Sequence, residues 1–207
     1  MFSGARARLR LLAAAGISHG ALALKRSDEV SANTSVASAT PNLAREAAPV
    51  FVLNSRDASV SLIDPVKMAV IGEMTVGKEP HHLYPTPDAM QLMVASAMSN
   101  ELHVFDPIRA QLTQRIRQID DPYQLGFSPD RKWFATAALR LDRVDLYRYQ
   151  ATTAMPLQLV KRIALPRAPS HLWFSADSRS LLVSLQDSGE LAAIDVERQE
   201  VLWKMMI

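Results

Sequence analysis

From Val50 onward the chain repeats itself, and a repeat of this length constrains the fold more tightly than any single residue does. The segments PHHLYPTPDAMQLMVASAMSNELHVFDP from Pro80, PYQLGFSPDRKWFATAALRLDRVDLYRY from Pro122 and PSHLWFSADSRSLLVSLQDSGELAAIDV from Pro169 lie over one another, with starts 42 and 47 residues apart. In each, a proline opens the unit, a leucine follows three residues later (Leu83, Leu125, Leu172), and an aspartate stands eight residues after the proline (Asp88, Asp130, Asp177). The run VSLID ending at Asp64 lies 42 residues before Asp106, so a partial unit precedes the three complete ones.

Within a unit the pattern is that of short strands. Leu125 and Phe127, like Leu172 and Phe174, alternate at the strand period of two, whereas an amphipathic helix would space them by three or four. Turn residues follow at once in Thr86-Pro87-Asp88, Ser128-Pro129-Asp130 and Ser175-Ala176-Asp177, where proline fixes φ and aspartate bonds its own backbone. Runs such as QLMVASA, KWFATAA and SLLVSLQ suit strands buried on both faces. Four strands per unit, with turns every ~8 to 12 residues, predict an all-β fold, a β-propeller of four-stranded antiparallel blades. The expected units are a partial blade over 50–77 and blades over 80–118, 122–166 and 169–206, about three and three-quarter blades and thus an incomplete or assembling arc.

The stretch VFVLNSRDASVSLIDPVKMAVIGEMTVGKEP, Val50 to Pro80, resembles the YVTN-type β-propeller repeat. Phe51-Val52-Leu53-Asn54 stands for the name-giving tetrapeptide, Ser61-Leu62-Ile63-Asp64 for the strand after it, and Met74-Thr75-Val76-Gly77 for the outer one. The resemblance extends to the propeller superfamily that includes the cytochrome d1 haem domain. The glycine usual after Ser-Pro-Asp in the family is replaced by Ala89, Arg131 and Ser178.

Ahead of the repeats, residues 1–23 have an arginine-bearing start, an apolar segment from Leu11 to Ile17 and a small-x-small end at Ala21-Leu22-Ala23, the layout of a signal peptide cleaved after Ala23. Residues 24–48 read as a disordered linker. Periplasmic or secreted localisation is therefore expected, with the cytoplasm as the alternative. Of the 23 basic residues, Arg6, Arg8 and Arg10 lie within the first ten positions, and the other 20 balance the 21 acidic residues without a basic stripe. Nucleic acid is not an expected partner, and no apolar run reaches the roughly 18 residues of a membrane span. The absence of cysteine excludes disulfides, thiolate ligands and a thiol nucleophile.

His82, Gln124 and His171 fall at the same place in successive units, two residues after the opening proline. The first strand of a blade lines the channel of a propeller, so these positions are the candidate ligand or metal site; the alternative is a purely structural role. Asp64, Asp106 and Asp195, each ending a third strand, read as turn residues and not as paired catalytic carboxylates. Trp133, Trp173 and Trp203 are expected in the core between blades. No phosphate loop, His-Glu-x-x-His or Gly-x-Ser-x-Gly motif occurs. These readings lead to a non-enzymatic binding or scaffold module without a cofactor, its partner a protein or small molecule and its open blade edges available for self-association. One alternative is a metal- or haem-dependent redox protein or lyase acting through the channel histidines. Another is an inactive fragment of a longer propeller.

Overall fold

A computed structural model describes residues 48–152 and 155–207, and the backbone of residues 9–12 and 21–26. The segment read as leader and linker therefore falls largely outside the described residues. The described residues are all-β apart from two short 3-10 turns at Ala97–Ser99 and Leu139–Leu141.

Its strands, in chain order, are β1 (Leu9–Leu12), β2 (Ala21–Arg26), β3 (Val50–Asn54), β4 (Ser59–Asp64) and β5 (Ala69–Thr75) in one sheet. The second sheet holds β6 (Pro80–Pro85), β7 (Leu92–Ser96), β8 (Glu101–Asp106) and β9 (Gln111–Arg117). In the third are β10 (Pro122–Phe127), β11 (Trp133–Ala138), β12 (Arg143–Tyr149) and β13 (Leu157–Ala164), and in the fourth β14 (Pro169–Phe174), β15 (Ser180–Leu185), β16 (Glu190–Asp195) and β17 (Glu200–Met206). All pairings are antiparallel between sequence neighbours, the meander of an incomplete propeller.

The repeats supply only β3–β5 to the first blade. The place inside β3 is taken by β2, which pairs Ala21 with Val52, Leu22 with Phe51 and Ala23 with Val50. The strand absent from the repeat thus comes from residues that lie outside it, and gives part of the inner backbone edge of β3 a ladder partner.

The repeated turns form because the same side chains cap them. Thr86, Ser128 and Ser175 donate through their hydroxyls to Asp88, Asp130 and Asp177 at 2.7, 2.6 and 2.6 Å. The residue after each aspartate adopts a left-handed backbone, with φ of 56° at Ala89, 63° at Arg131 and 63° at Ser178. Those are the positions where the family carries glycine, which takes this conformation without steric cost. At the ends of third strands, Asp64 Oδ1 accepts from the backbone N–H groups of Val66 and Lys67 at 2.8 and 3.0 Å, and Asp106 from Ile108 and Arg109 at the same distances. These backbone bonds pull the Asp64 and Asp106 carboxyls below the ordinary aspartate value.

Blades meet face to face through apolar side chains. Phe51, Val60 and Leu62 of the first blade pack on Leu92, Val94 and Phe105 of the second. Met93, Leu102 and Val104 on the second blade's other face meet Leu125, Phe134 and Tyr147 of the third. Ala135, Val144 and Leu146 of the third then meet Leu172, Leu181 and Ile194 of the fourth. Each such large side chain, buried fully, contributes roughly 1.5–3 kcal/mol. Trp133 lies within this core and stacks under the Arg148 guanidinium at 3.5 Å. Trp173 and Trp203 do not: they are 67% and 44% exposed, because the face of the fourth blade that carries them has no blade against it.

Candidate functional site

The innermost strands β6, β10 and β14 start with proline and bring the positions just after it close together. The His82 ring lies 5.5 Å from the His171 ring at 88° and 5.4 Å from the Tyr123 ring. His81, one residue away, packs on the same tyrosine at 4.4 Å, and Tyr123 sits 6.3 Å from His171. Three strands thus build one group of two channel-side imidazoles, a third imidazole beside them and a phenol. Tyr123 had no signal in the repeat comparison, since its equivalents are His81 and Ser170.

Hydrogen bonds show what these side chains already do. His82 Nδ1 lies 2.7 Å from the carbonyl oxygen of Tyr123, in the next blade. A carbonyl only accepts, so Nδ1 carries the proton, and the neutral ring keeps a bare lone pair on Nε2. Burial, aided by the neighbouring His171 and His81, pushes the His82 imidazole down to about 4, against a weaker upward pull from the Tyr123 carbonyl. Gln124 Oε1 accepts from the backbone N–H of Leu172, again in the next blade. Among the described residues, the His171 ring on the fourth blade bonds its own strand neighbour, Nδ1 to Ser170 Oγ at 3.2 Å, and the residue is exposed. The three equivalent positions therefore differ in occupation, two bridging to the following blade and the third open.

Two imidazoles fall short of the three or four ligands of a zinc site. Among the described residues no group of three or more His, Asp or Glu is arranged to hold a metal ion. His103 stands apart from this cluster, fully buried in the second blade between Ser96 and Glu101 at 3.3 and 3.4 Å. Asp120 and Asp121 are engaged by arginine. Asp121 accepts from Arg140, which reaches across to Glu79 of the preceding inter-blade turn, and Asp120 accepts from Arg143 and Arg162 at 2.8 and 3.1 Å. None of the described helices is long and apolar enough to cross a membrane.

Comparison with known proteins agrees with this architecture. Among solved structures, the Kuenenia stuttgartiensis hydrazine synthase superposes with a TM-score of 0.62 at 24% identity, over 78% of this chain and 47% of that one. A dihydro-heme d1 dehydrogenase, NirN in complex with DHE, gives 0.59 at 19% identity over 100% of this chain and 45% of its own. The β-propeller domain of Myceliophteria thermophila Cps50 (Swd1) gives 0.58 at 17% identity, over 77% and 52%. The chain spans about half the length of these structures, and at such identities the likeness speaks to the fold. No curated protein sequence matches. A family model described as YNCE-like beta-propeller matches residues 16–207. The chain belongs to the YNCE-like β-propeller family.

Proposed function

We propose that this chain is a non-enzymatic propeller module that binds a protein or small molecule, with His81, His82, Tyr123 and His171 as its small-molecule contact. The observation that carries the reading is the engagement of the repeated polar side chains. His82 Nδ1 and Gln124 Oε1 are both bonded to the backbone of the next blade, and the repeated aspartates cap turns. Glu79, whose carboxylate lies 3.8 Å from His81 Nε2, is itself paired with Arg140, and the cluster of flat rings is left as a contact surface. Export belongs to the same proposal, with cleavage after Ala23 leaving β3–β5 as the first blade's strands.

One feature favours a second reading, the metal- or haem-dependent one: the Nε2 lone pair of His82, 5.5 Å ring to ring from His171. A neighbour in fold is described as complexed with DHE. His82 Nε2 is the atom that would hold a haem iron.

Metal analysis and an absorbance spectrum of the purified chain separate the two. The binding reading predicts neither stoichiometric metal nor a haem band. Either signal, if it disappears in the His82→Ala, His171→Ala double variant, would overturn that reading in favour of the second. Hemin added to the apo chain serves as a flat aromatic probe: reversible, saturable binding weakened by Tyr123→Ala is expected, and a lack of saturation contradicts the contact assigned to the rings. Intact mass of exported protein should lack residues 1–23, and a mass that includes Met1 contradicts the cleavage.

A further inference from the structure

The second and third blades pack directly on each other, and their junction sets the protonation of the rings at its inner edge. His82 Nδ1 lies 2.7 Å from the Tyr123 carbonyl oxygen and carries the proton, so Nε2 of the neutral ring is an acceptor only. Among the described residues, the buried side-chain polar atoms without a partner are His103 Nε2, Thr136 Oγ1 and Ser188 Oγ. His82 Nε2 also lacks a partner among the described residues, yet it is not one of the buried three, so it reaches solvent. The Tyr123 hydroxyl is in the same state, and a hydroxyl can donate or accept. The atom whose role is fixed is therefore an acceptor.

The charges beside these rings point the same way. Glu79 Oε1 lies 3.8 Å from His81 Nε2, and Arg140 reaches both Glu79 and Asp121 at 2.5 Å. Burial holds the His81 imidazole below its ordinary value, and of the charged groups that act on it two are carboxylates, Glu79 and Asp121, against one guanidinium, Arg140. Arg140 is thus occupied by its own partners, and the field over the rings is on balance negative. A carboxylate brought to His82 Nε2 would set lone pair against lone pair in that field. A ligand N–H would find its acceptor there, with the His81 and Tyr123 rings, 4.4 Å apart, to lie against.

Resting on the small-molecule reading of this cluster, we infer that its ligand is a flat ring that presents an N–H donor to His82 Nε2, an aromatic amide or amidine in class, and that the site discriminates against aromatic acids. Ring faces supply contact area without direction, and one placed polar atom supplies orientation and choice. The choice is enforced by the Tyr123 carbonyl, which cannot donate and so keeps the proton on the far nitrogen of His82.

Benzamide, benzamidine and benzoate share a ring and differ in the group they would present to His82. Each is titrated at neutral pH into the full chain with its histidine ring nitrogens isotopically labelled for magnetic resonance. Benzamide and benzamidine are expected to saturate, and benzoate to bind at least about tenfold more weakly for want of the hydrogen bond. In the free chain the two His82 nitrogens should resonate far apart, Nδ1 bearing the proton and Nε2 bare, and the Nε2 signal should move when benzamide binds. His82→Phe keeps a ring and removes the lone pair; it should weaken benzamide by about tenfold and leave benzoate unchanged. Benzoate binding as tightly as benzamide, a proton on Nε2 in the free chain, or a folded His82→Phe chain with undiminished affinity for benzamide would each overturn the inference while leaving the ring contact standing. Saturation by none of the three would overturn the ring contact itself and the inference with it. Should His82→Phe fail to fold, the three titrations and the nitrogen signals decide.

Discussion

Two residues after the opening proline of the second and third blades, the side chain reaches for the backbone of the next blade. His82 and Gln124 share this task although their chemistries differ, because what the position requires is a polar atom at the end of a planar side chain: a ring N–H in one case, an amide oxygen in the other. The equivalence of these positions could be read from the sequence, and so could their convergence on the channel. Their partners could not, since each is a main-chain group 41 or 48 residues away that carries no side-chain signature. Burial of a neutral imidazole has a consequence for pH. The folded His82 value of about 4 lies below the ordinary histidine value of 6.5, so between these values the unfolded chain binds more protons and stability falls as the pH drops. Below about 4 this contribution levels off. Denaturant titrations should show a loss on the order of 2 kcal/mol over that range, reduced in His82→Gln, the residue the next repeat uses. An equal slope in the variant would assign the loss to other groups.

Turns and strands were the most legible part of the chain. A hydroxyl residue and an aspartate recur at fixed spacing in all three turns, with a proline between them in two, because each turn needs a donor and an acceptor, and Ser128, Asp130 and Trp133 show that network complete: the serine hydroxyl donates to Asp130 and accepts from the Trp133 N–H at 2.9 Å. The tryptophans were less legible. All three sit in apolar runs, yet only Trp133 is interior, because period-two alternation tells which residues share a face and not whether another blade covers it. The glycine replacements are a local cost built into these turns. Arg131 is exposed and holds φ at 63°, a conformation that costs a residue with a Cβ about 1–2 kcal/mol. Arg131→Gly should therefore raise stability by roughly 0.5–1 kcal/mol, part of the relief being offset by the greater freedom of glycine in the unfolded chain. A lowered midpoint in urea would show that the Arg131 side chain contributes more than its backbone strain removes.

For the whole molecule, the account rests on blades held to blades. Apolar faces supply the bulk of that cohesion, and at the second-to-third and third-to-fourth junctions a polar bridge near the channel adds direction to it. The bridge identifies a continuing blade and, by its absence at His171, an uncovered one. Unfolding free energies of three alanine variants, measured side by side on the single chain at low concentration, test this most directly. His82→Ala and Gln124→Ala each remove a bridge and strand a backbone group, and should cost about 1–3 kcal/mol; His171→Ala removes none and should cost less than about 0.5 kcal/mol. A loss at His171 as large as at the other two, or no loss at any of the three, would contradict it.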